Sequence, residues 1–443
     1  MDVSKPLHSE KLISKHQSFS WQEIKKHNNH NDCWIVIEQY IYDITPWIKQ
    51  HPGGNVLAIL AGEDATAMFY SNHFKVSKKL LKPFLIGIVN NSQALFDTYQ
   101  DEFFQTLKQR VLTFFKSNNI NYKKTSNGYF QILVTSVFFV CCWLSLYLLP
   151  PWGLLAAIPM GLATSSLIGA FGHEYIHGNI FKRLSQIPGY WMINNMLWGI
   201  FIPFMPERYF QYEHIRHHNY PMDPEHDYDV FALKNIVRLS SNVTKKARHN
   251  FQHLYAPLVY GYYLFIQLIG GYNTPFFDDR EILKDKGNLR DIIISSIFAV
   301  TIHIVLPIYL TNFWWFLLAA GIYFFTWQSA IYISSGLPHM TQTPADNTTN
   351  RSWAFHVCST TKNLKAGSWF FNWLTGGLNH HLNHHLLPAI PQEHLHLITP
   401  IVKQTCNEFG YPYGNYSSFI QYYLDHYIFL KSLGKLDNTS KVK

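Results

Sequence analysis

Gly376-Gly-Leu-Asn-His-His-Leu-Asn-His-His-Leu-Leu-Pro388 is the stretch from which this chain is best read. Within it, His381-x-x-His384-His385 places three imidazoles at positions i, i+3 and i+4, which share one face of a helix. His380 completes a run of four histidines in six positions. Histidine at that density is wasteful as packing and well suited to metal. The same spacing returns at His214-Ile-Arg-His217-His218, and a related pair stands at His173-Glu-Tyr-Ile-His177. Each cluster lies close to a long apolar segment. The three boxes are therefore expected to meet in one polynuclear metal site, the imidazoles of each converging from a helix face.

The composition says what surrounds that site. Of 443 residues, 16% are aromatic and only 14% charged, against roughly 25% charged in soluble chains, so extended regions avoid water. Four segments reach the length of about 20 apolar residues that a ~30 Å hydrocarbon core requires: about Tyr129–Leu149, Trp152–Ala170, Ile292–Leu310 and Phe313–Ser334. No Lys or Arg lies between Lys124 and Lys182, or between Arg290 and Arg351. The turns Pro150-Pro151 and Thr311-Asn312 are thus short and uncharged, which predicts two tight helical hairpins. Positive loops stay inside, and that rule puts the amino terminus, residues 171–290 and the carboxyl terminus in the cytosol with all three boxes. Ile187–Pro206 and Tyr255–Tyr272 are also apolar but are interrupted by Pro, Gly and Asn. A span at either would separate the boxes, so both read as interfacial or as walls of the histidine-bearing domain. The net charge of +8 forms no aromatic-interleaved stripe, which argues against nucleic acid and for anionic lipid headgroups. The five cysteines are scattered and odd in number, as suits a reducing compartment. Residues 1–31 are polar and lack the apolar core of a signal peptide.

Residues 1–17 read as a polar tail, and 18–90 as a small soluble α+β domain. Ser20 and Glu23 form a capping box before a helix over Phe19–Lys26, and Trp34–Glu38 and Tyr40–Ile44 are β-prone runs. His51-Pro52-Gly53-Gly54 is in itself a turn sequence. Pro46–Gly54 followed by Gly62–Thr66 and a distal His73 resembles the cytochrome b5 family, over nearly all of residues 18–90. That resemblance implies haem b held between His51 and His73, with Pro52, Gly53 and Gly54 in the haem loop. An iron ligated on both faces carries electrons and does not bind oxygen. His8, His27 and His30 lack the motif and read as surface residues. Residues 91–126 read as a linker and an amphipathic helix, with Phe103, Phe104, Leu107, Val111, Leu112, Phe114 and Phe115 at helical spacing, expected to lie on the membrane surface. Residues 406–443 read as a separate cytosolic segment after a membrane domain over 127–405.

Imidazole suits Fe, Zn, Cu and Ni. Zinc hydrolysis uses three protein ligands and a water, which leaves most of these histidines idle, and zinc has no use for an electron carrier. His173-Glu-x-x-His177 matches a zinc peptidase string, yet that reading ignores the other boxes and the haem domain. A dinuclear iron centre uses them all. The order haem domain, HxxxH, HxxHH and Gly-Gly-Leu-Asn-x-x-x-x-His-His-Leu-x-Pro resembles the membrane fatty acid desaturases, and among them the front-end type with a fused cytochrome b5, over residues 18 to 400. The resemblance implies a four-span all-α membrane domain under a cytosolic histidine-rich cap. It makes His173, His177, His214, His217, His218, His381, His384 and His385 ligands of two irons. His339, just beyond the fourth span, stands where the family often places a further ligand, and Trp353, Thr361 and Asn363 keep the family's spacing. Two departures stand out: His381 replaces the Gln usual in front-end members, which bears on bond position, and Glu174 replaces the usual Asp. His303, His356, His380, His394 and His396 are left to structural or supporting roles.

The activity so implied is O2-dependent insertion of a cis double bond into a fatty acyl chain, carried by coenzyme A or a lipid. Electrons would come from a cytochrome b5 reductase or another NAD(P)H-dependent donor. An apolar tunnel would hold the chain, with aromatic residues of the hairpins and of Tyr190–Phe204 as candidate lining. Rival readings are an acyl or sphingolipid hydroxylase, a sphingoid-base desaturase and, from another class, a membrane haem carrier or metal transporter. A transporter would place ligands at membrane depth, where only His303 lies. The membrane is a bacterial inner membrane or the endoplasmic reticulum.

Overall fold

The computed structural model describes residues 17–51, 56–74, 78–90, 96–181, 187–223, 226–227, 230, 233, 235–262, 286–341 and 352–436. Pro52, Gly53 and Gly54 of the expected haem loop, and residues 263–272 of the second interrupted apolar stretch, lie outside them.

The amino-terminal unit is α+β, as expected. Strands β1 (Gln17–Phe19), β2 (Asn28–Asn29), β3 (Asp32–Ile37), β4 (Tyr40–Asp43) and β5 (Leu85–Val89) form one sheet in the order β1-β5-β4-β3-β2. Only β1 and β5 run parallel. Helix α1 (Trp21–Ile24) is shorter than its sequence suggested. Ser20 accepts from the Glu23 N–H at 3.2 Å, but the Glu23 carboxylate turns to Lys26 at 2.6 Å, so only half of the capping box forms. One side of the sheet packs on helices α2 (Val56–Ile59) and α3 (Thr66–Asn72) through Ile35, Ile37, Tyr42, Ala58, Ile59 and Met68.

Helix α4 (Glu102–Ser117) corrects the reading of 91–126. Its apolar face, Phe103, Phe104, Leu107, Val111 and Phe115, is buried in a core shared with Trp353, Leu395, Ile398 and Val402. Asp101 caps it, accepting from the Phe104 N–H at 2.8 Å. Amphipathic periodicity shows that a face will be covered but does not name the cover. Here the cover is protein, and that face is not available to lipid.

The four apolar helices are Asn127–Leu148, Trp152–Ile176, Leu289–Leu310 and Phe313–His339, here the first to fourth spans. The second is the inner one, 67% of its most apolar stretch being buried against 28–33% in the others. It is also rich in small residues. Gly161 meets Tyr323, Thr326 and Trp327 of the fourth span so closely that a Cβ would stand 2.8–2.9 Å from their atoms, the close approach that small residues permit between membrane helices. The second and fourth spans run further than the sequence suggested, through wide π-helical turns at Ile168–His173 and Tyr332–Gly336. Those extensions carry His173 and His339 beyond the apolar length.

Helix α5 (Tyr190–Phe201) lies along the third span, with Asn195 donating to Asp291 at 3.2 Å and Gly199 against the Ser295 carbonyl. A helix ending inside an apolar layer leaves carbonyls without donors. His303 meets that need: its Nε2–H donates to the Ile200 carbonyl at 2.9 Å, from a ring stacked on Tyr323. His303 is thus a helix cap and not an ion ligand. His303→Leu is expected to lower the detergent-resistant melting temperature while leaving metal content intact, since the unpaired carbonyl costs about 1–3 kcal/mol; an unchanged melting curve would contradict the capping role.

Beyond the spans come α6 (Glu207–Asn219), α7 (Gln252–Gly261), α8 (Trp353–Thr360), α9 (His381–Leu386), α10 (Gln392–Phe409) and α11 (Phe419–Lys435). The division expected at 405/406 falls inside α10. Helix α11 packs Tyr422, Phe429, Leu430 and Leu433 into a core with Val230, Leu239 and Tyr260, so the carboxyl-terminal segment is part of the histidine-bearing body.

Candidate metal centre

Each box owes its position to a local device. Box one sits at the end of the second span, where the π-helical turn over Ile168–His173 places His173 and His177 follows as the helix cap. Box three is aimed by Gly376 and Gly377, both at positive φ. A Cβ on Gly376 would stand 2.4 Å from the Ala170 backbone nitrogen, and one on Gly169 2.3 Å from the Thr375 carbonyl. The two backbones touch, and glycine on both sides lets boxes one and three approach. Asn363 then holds the start of α9, accepting from the Leu382 N–H at 2.9 Å.

The imidazoles gather in two groups. His173, His177, His214, His218 and His384 form one, and His217, His339, His381 and His385 the other, each with its ligand nitrogens within 4.8 Å of one another. In the first, Nε2 atoms lie 3.0 Å apart for His177 and His214, 3.0 Å for His214 and His218, and 2.9 Å for His218 and His384. In the second the steps are 3.1 Å for His217 and His339, 2.9 Å for His339 and His381, and 3.2 Å for His381 and His385. Two nitrogens at right angles on one metal about 2.1 Å away stand about 3 Å apart. The spacing therefore fits donors around an ion. The boxes divide between the groups: α6 sends His214 and His218 to one and His217 to the other, while α9 sends His384 to the first and His381 and His385 to the second. His339, just beyond the fourth span's apolar length, stands between His217 and His381.

The donors are in the right protonation state. Burial, reinforced by neighbouring imidazoles, holds His214, His218, His384 and His385 well below the usual histidine range. Burial pushes His177 and His381 down to about 3. All are neutral at physiological pH, as a metal ligand must be. Three further histidines of the two groups have outer-nitrogen partners that the boxes did not announce. His217 Nδ1 is 2.9 Å from the Asp227 carboxylate, itself fully buried, and His339 Nδ1 is 3.2 Å from Thr361 Oγ1. The Gln392 carboxamide lies 2.7 Å from His173 Nδ1, while Gln392 Oε1 and His173 Nε2 are buried without a partner. Turning the amide oxygen to Nδ1 satisfies it and leaves Nε2 for a metal, as outer partners of ligating histidines do. Asp227 and Gln392 were missed because they belong to no box; the Asp-rich run after His218 was the one available signal for Asp227.

The other histidines point elsewhere. His356 donates to the Pro221 carbonyl at 2.7 Å, His394 to the Lys124 carbonyl at 2.9 Å, and His380 Nδ1 faces Thr399 at 3.2 Å. Glu174, in box one, accepts from the Gln392 N–H at 3.2 Å. A cavity opens on both groups, bounded by His173, His214, His217 and His381, with apolar walls that include Met205, Phe210 and Ile331. Its aromatic lining is Tyr209 and Phe210, just after the expected Tyr190–Phe204, and Tyr332 of the fourth span.

In the amino-terminal unit the His51 and His73 ring centroids are 6.0 Å apart. Two metal–nitrogen bonds of about 2 Å plus the depth of each ring give about 6 Å, so the pair fits one iron between them. His73 Nδ1–H donates to the Phe69 carbonyl at 2.8 Å, leaving Nε2 inward. This unit sits directly on α6. Tyr209, Tyr212 and Ile215 enter its core, Arg216 pairs with Glu63, and Asn219 donates to the Asp64 carbonyl at 2.7 Å. One helix therefore seats the haem-type domain on one side and presents three box histidines on the other.

Residues 149–417 match the model of the fatty acid desaturase family, and residues 20–90 that of the cytochrome b5-like haem/steroid-binding domain. Similar proteins include the Delta(5) fatty acid desaturase A of Dictyostelium discoideum, 28% identical with 96% of this chain and 95% of that protein covered. The acyl-lipid (8-3)-desaturase of Physcomitrium patens is 26% identical, with 94% and 92% covered. With more than half its length matched to that model and its histidines gathered at the ends of membrane helices, this chain belongs to the fatty acid desaturase family, as a member with a cytochrome b5-like domain at its amino end.

Proposed function

We propose that this oxidoreductase inserts a cis double bond into a fatty acyl chain on the carboxyl side of an existing double bond, using O2 and two irons held by the nine grouped histidines. The observation that carries the reading is the division into five and four convergent nitrogens, each set falling short of six ligands. When bound, the irons supply the oxygen activation needed to break an unactivated C–H bond. The chain's own residues do the rest. Asp227, Thr361 and Gln392 orient imidazoles, and the apolar cavity wall holds the acyl chain against both groups and keeps water away. His51 and His73 would hold haem b, which would pass on electrons from an NAD(P)H-dependent reductase, and the seating of the haem-type domain on α6 supports a direct delivery. The relatives' names favour an acyl-lipid carrier and a Delta(5)-type position. The positive-loop asymmetry supports a cytosolic site.

The test is expression in a host lacking polyunsaturated lipids, with candidate fatty acids supplied and total lipids profiled by mass and double-bond position. A product two hydrogens lighter than its precursor, with the new bond towards the carboxyl end, is expected. A product one oxygen heavier would replace the reading by a hydroxylase, and a bond placed towards the methyl end would overturn the regiochemistry.

A further inference from the structure

Two apolar stripes belong neither to the metal centre nor to the spans. Phe251, Leu254, Leu258 and Tyr262 recur every three or four residues along α7 and the turn before it, and all are exposed, Leu254 by 62%. Ile420, Leu424 and Ile428 do the same on α11, Ile420 by 71%. The opposite faces are buried, through Gln252, Ala256 and Tyr260 on α7 and Tyr422, His426 and Leu430 on α11.

The two helices lie side by side and antiparallel. Gly434 abuts the His249 carbonyl, Gln252 donates to the Leu430 carbonyl at 2.8 Å, and the Tyr260 ring is 5.6 Å from His426. Contacts with the fourth span give their direction. Tyr260 stacks on Tyr332 at 3.6 Å, Gly261 lies against the Phe325 ring, and Tyr262 reaches that ring at 5.6 Å. Helix α7 thus descends along the fourth span, away from its histidine end. The amino end of α11 is held there too, Tyr422 donating to the Ile333 carbonyl at 2.8 Å. Ten residues of α7 extend about 15 Å, half the thickness of a ~30 Å hydrocarbon core.

The opposite end of the pair is basic. Lys245, Lys246 and Arg248 precede α7, and Lys431 and Lys435 close the exposed stripe of α11. Lys245 Nζ donates to the Lys435 carbonyl at 3.2 Å, which ties the two groups into one collar.

We propose that α7 and α11 are sunk as a pair into the leaflet on the histidine side, with their stripes against acyl chains and the five cations at the level of anionic phospholipid headgroups. Two observations choose this occupant. The stripes lie beside the fourth span, which α7 touches at Phe325 and Tyr332, and the cations stand at the end where headgroups begin. Lys and Arg so placed bind anionic lipid while their stems cover apolar surface. This pair, which joins chain regions far apart in sequence, is then an interfacial element of the protein, and α4 is not.

Depth measurement tests it on the full-length protein in vesicles. In a Cys141→Ser background, whose other four cysteines are buried, single nitroxides are placed at Phe251→Cys, Leu254→Cys and Leu258→Cys, and at Ile428→Cys, Leu424→Cys and Ile420→Cys. Collision with oxygen is expected to rise, and collision with a water-soluble nickel complex to fall, in those two orders. High nickel access at all six sites would overturn the proposal in favour of a solvated face. Low access to both reagents would overturn it in favour of a protein cover, such as a second copy. The labels are expected to sit deeper in vesicles containing phosphatidylglycerol than in pure phosphatidylcholine, and Lys246→Gln, Arg248→Gln, Lys431→Gln and Lys435→Gln together are expected to abolish that difference. Equal depth in both vesicles would overturn the headgroup assignment.

Discussion

Replacing His339 with alanine is expected to leave the haem band unchanged, halve the non-haem iron and abolish measurable desaturation. His339 Nε2 lies 3.1 Å from His217 and 2.9 Å from His381, so it bridges the four-membered group. Its removal leaves three donors and an opening where a buried imidazole stood. Changing a residue that merely orients a ligand costs about 10–100-fold in affinity or activity, and loss of the ligand itself is expected to cost at least about 100-fold on the same scale. Metal analysis, with haem iron subtracted by its absorbance, separates this from misfolding, because the haem domain reports on the integrity of the chain. A variant with full non-haem iron and normal product would show that His339 only marks the end of the fourth span.

Reversing the charge at the seat of the haem domain is expected to have the second-largest effect. Arg216 and Glu63 pair at the contact with α6, with side chains only 14% and 23% exposed, and Arg216 also donates to Tyr212 at 2.7 Å. Removing one partner of a buried pair costs about 3–5 kcal/mol, and the lower end of that range corresponds to roughly a 100-fold change in the docked population. Glu63→Arg is therefore expected to slow NAD(P)H-driven turnover and substrate-dependent haem re-oxidation by one to two orders of magnitude, with haem and iron contents unchanged. Combining it with Arg216→Glu is expected to restore most of the rate, because the pair re-forms with its signs exchanged. Glu63→Arg at wild-type speed would mean that the observed seat plays no part in electron delivery. A double variant no faster than the single one would mean that Arg216 acts on its neighbouring ligands instead.

Much of this protein is legible along the chain, for reasons that are local. A span declares itself by apolar length, and the four helices begin within about three residues of their expected starts because length and the Pro150-Pro151 and Thr311-Asn312 turns are properties of consecutive residues. A histidine box declares itself by spacing, since 100° per residue puts i, i+3 and i+4 on one side of the helix whatever surrounds it. The Pro46–Gly54 loop with His73 marked the haem-type fold in the same way, and the sheet and the 6.0 Å histidine pair agree with it.

What could not be read depended on which surface comes to lie opposite. His217 and His218 are adjacent in sequence but face different groups, because one meets His339 and the other His384. Asp227 and Gln392 gain their roles from a neighbouring imidazole and resemble any other Asp or Gln in the chain. The apolar stripe of α4 is covered by α10, whereas α11 has one apolar face buried in a core and a second, Ile420, Leu424 and Ile428, exposed. Helical periodicity fixes the direction in which each side chain leaves its axis. The partner it finds there is set by long-range packing of spans and boxes, which no stretch of sequence encodes alone.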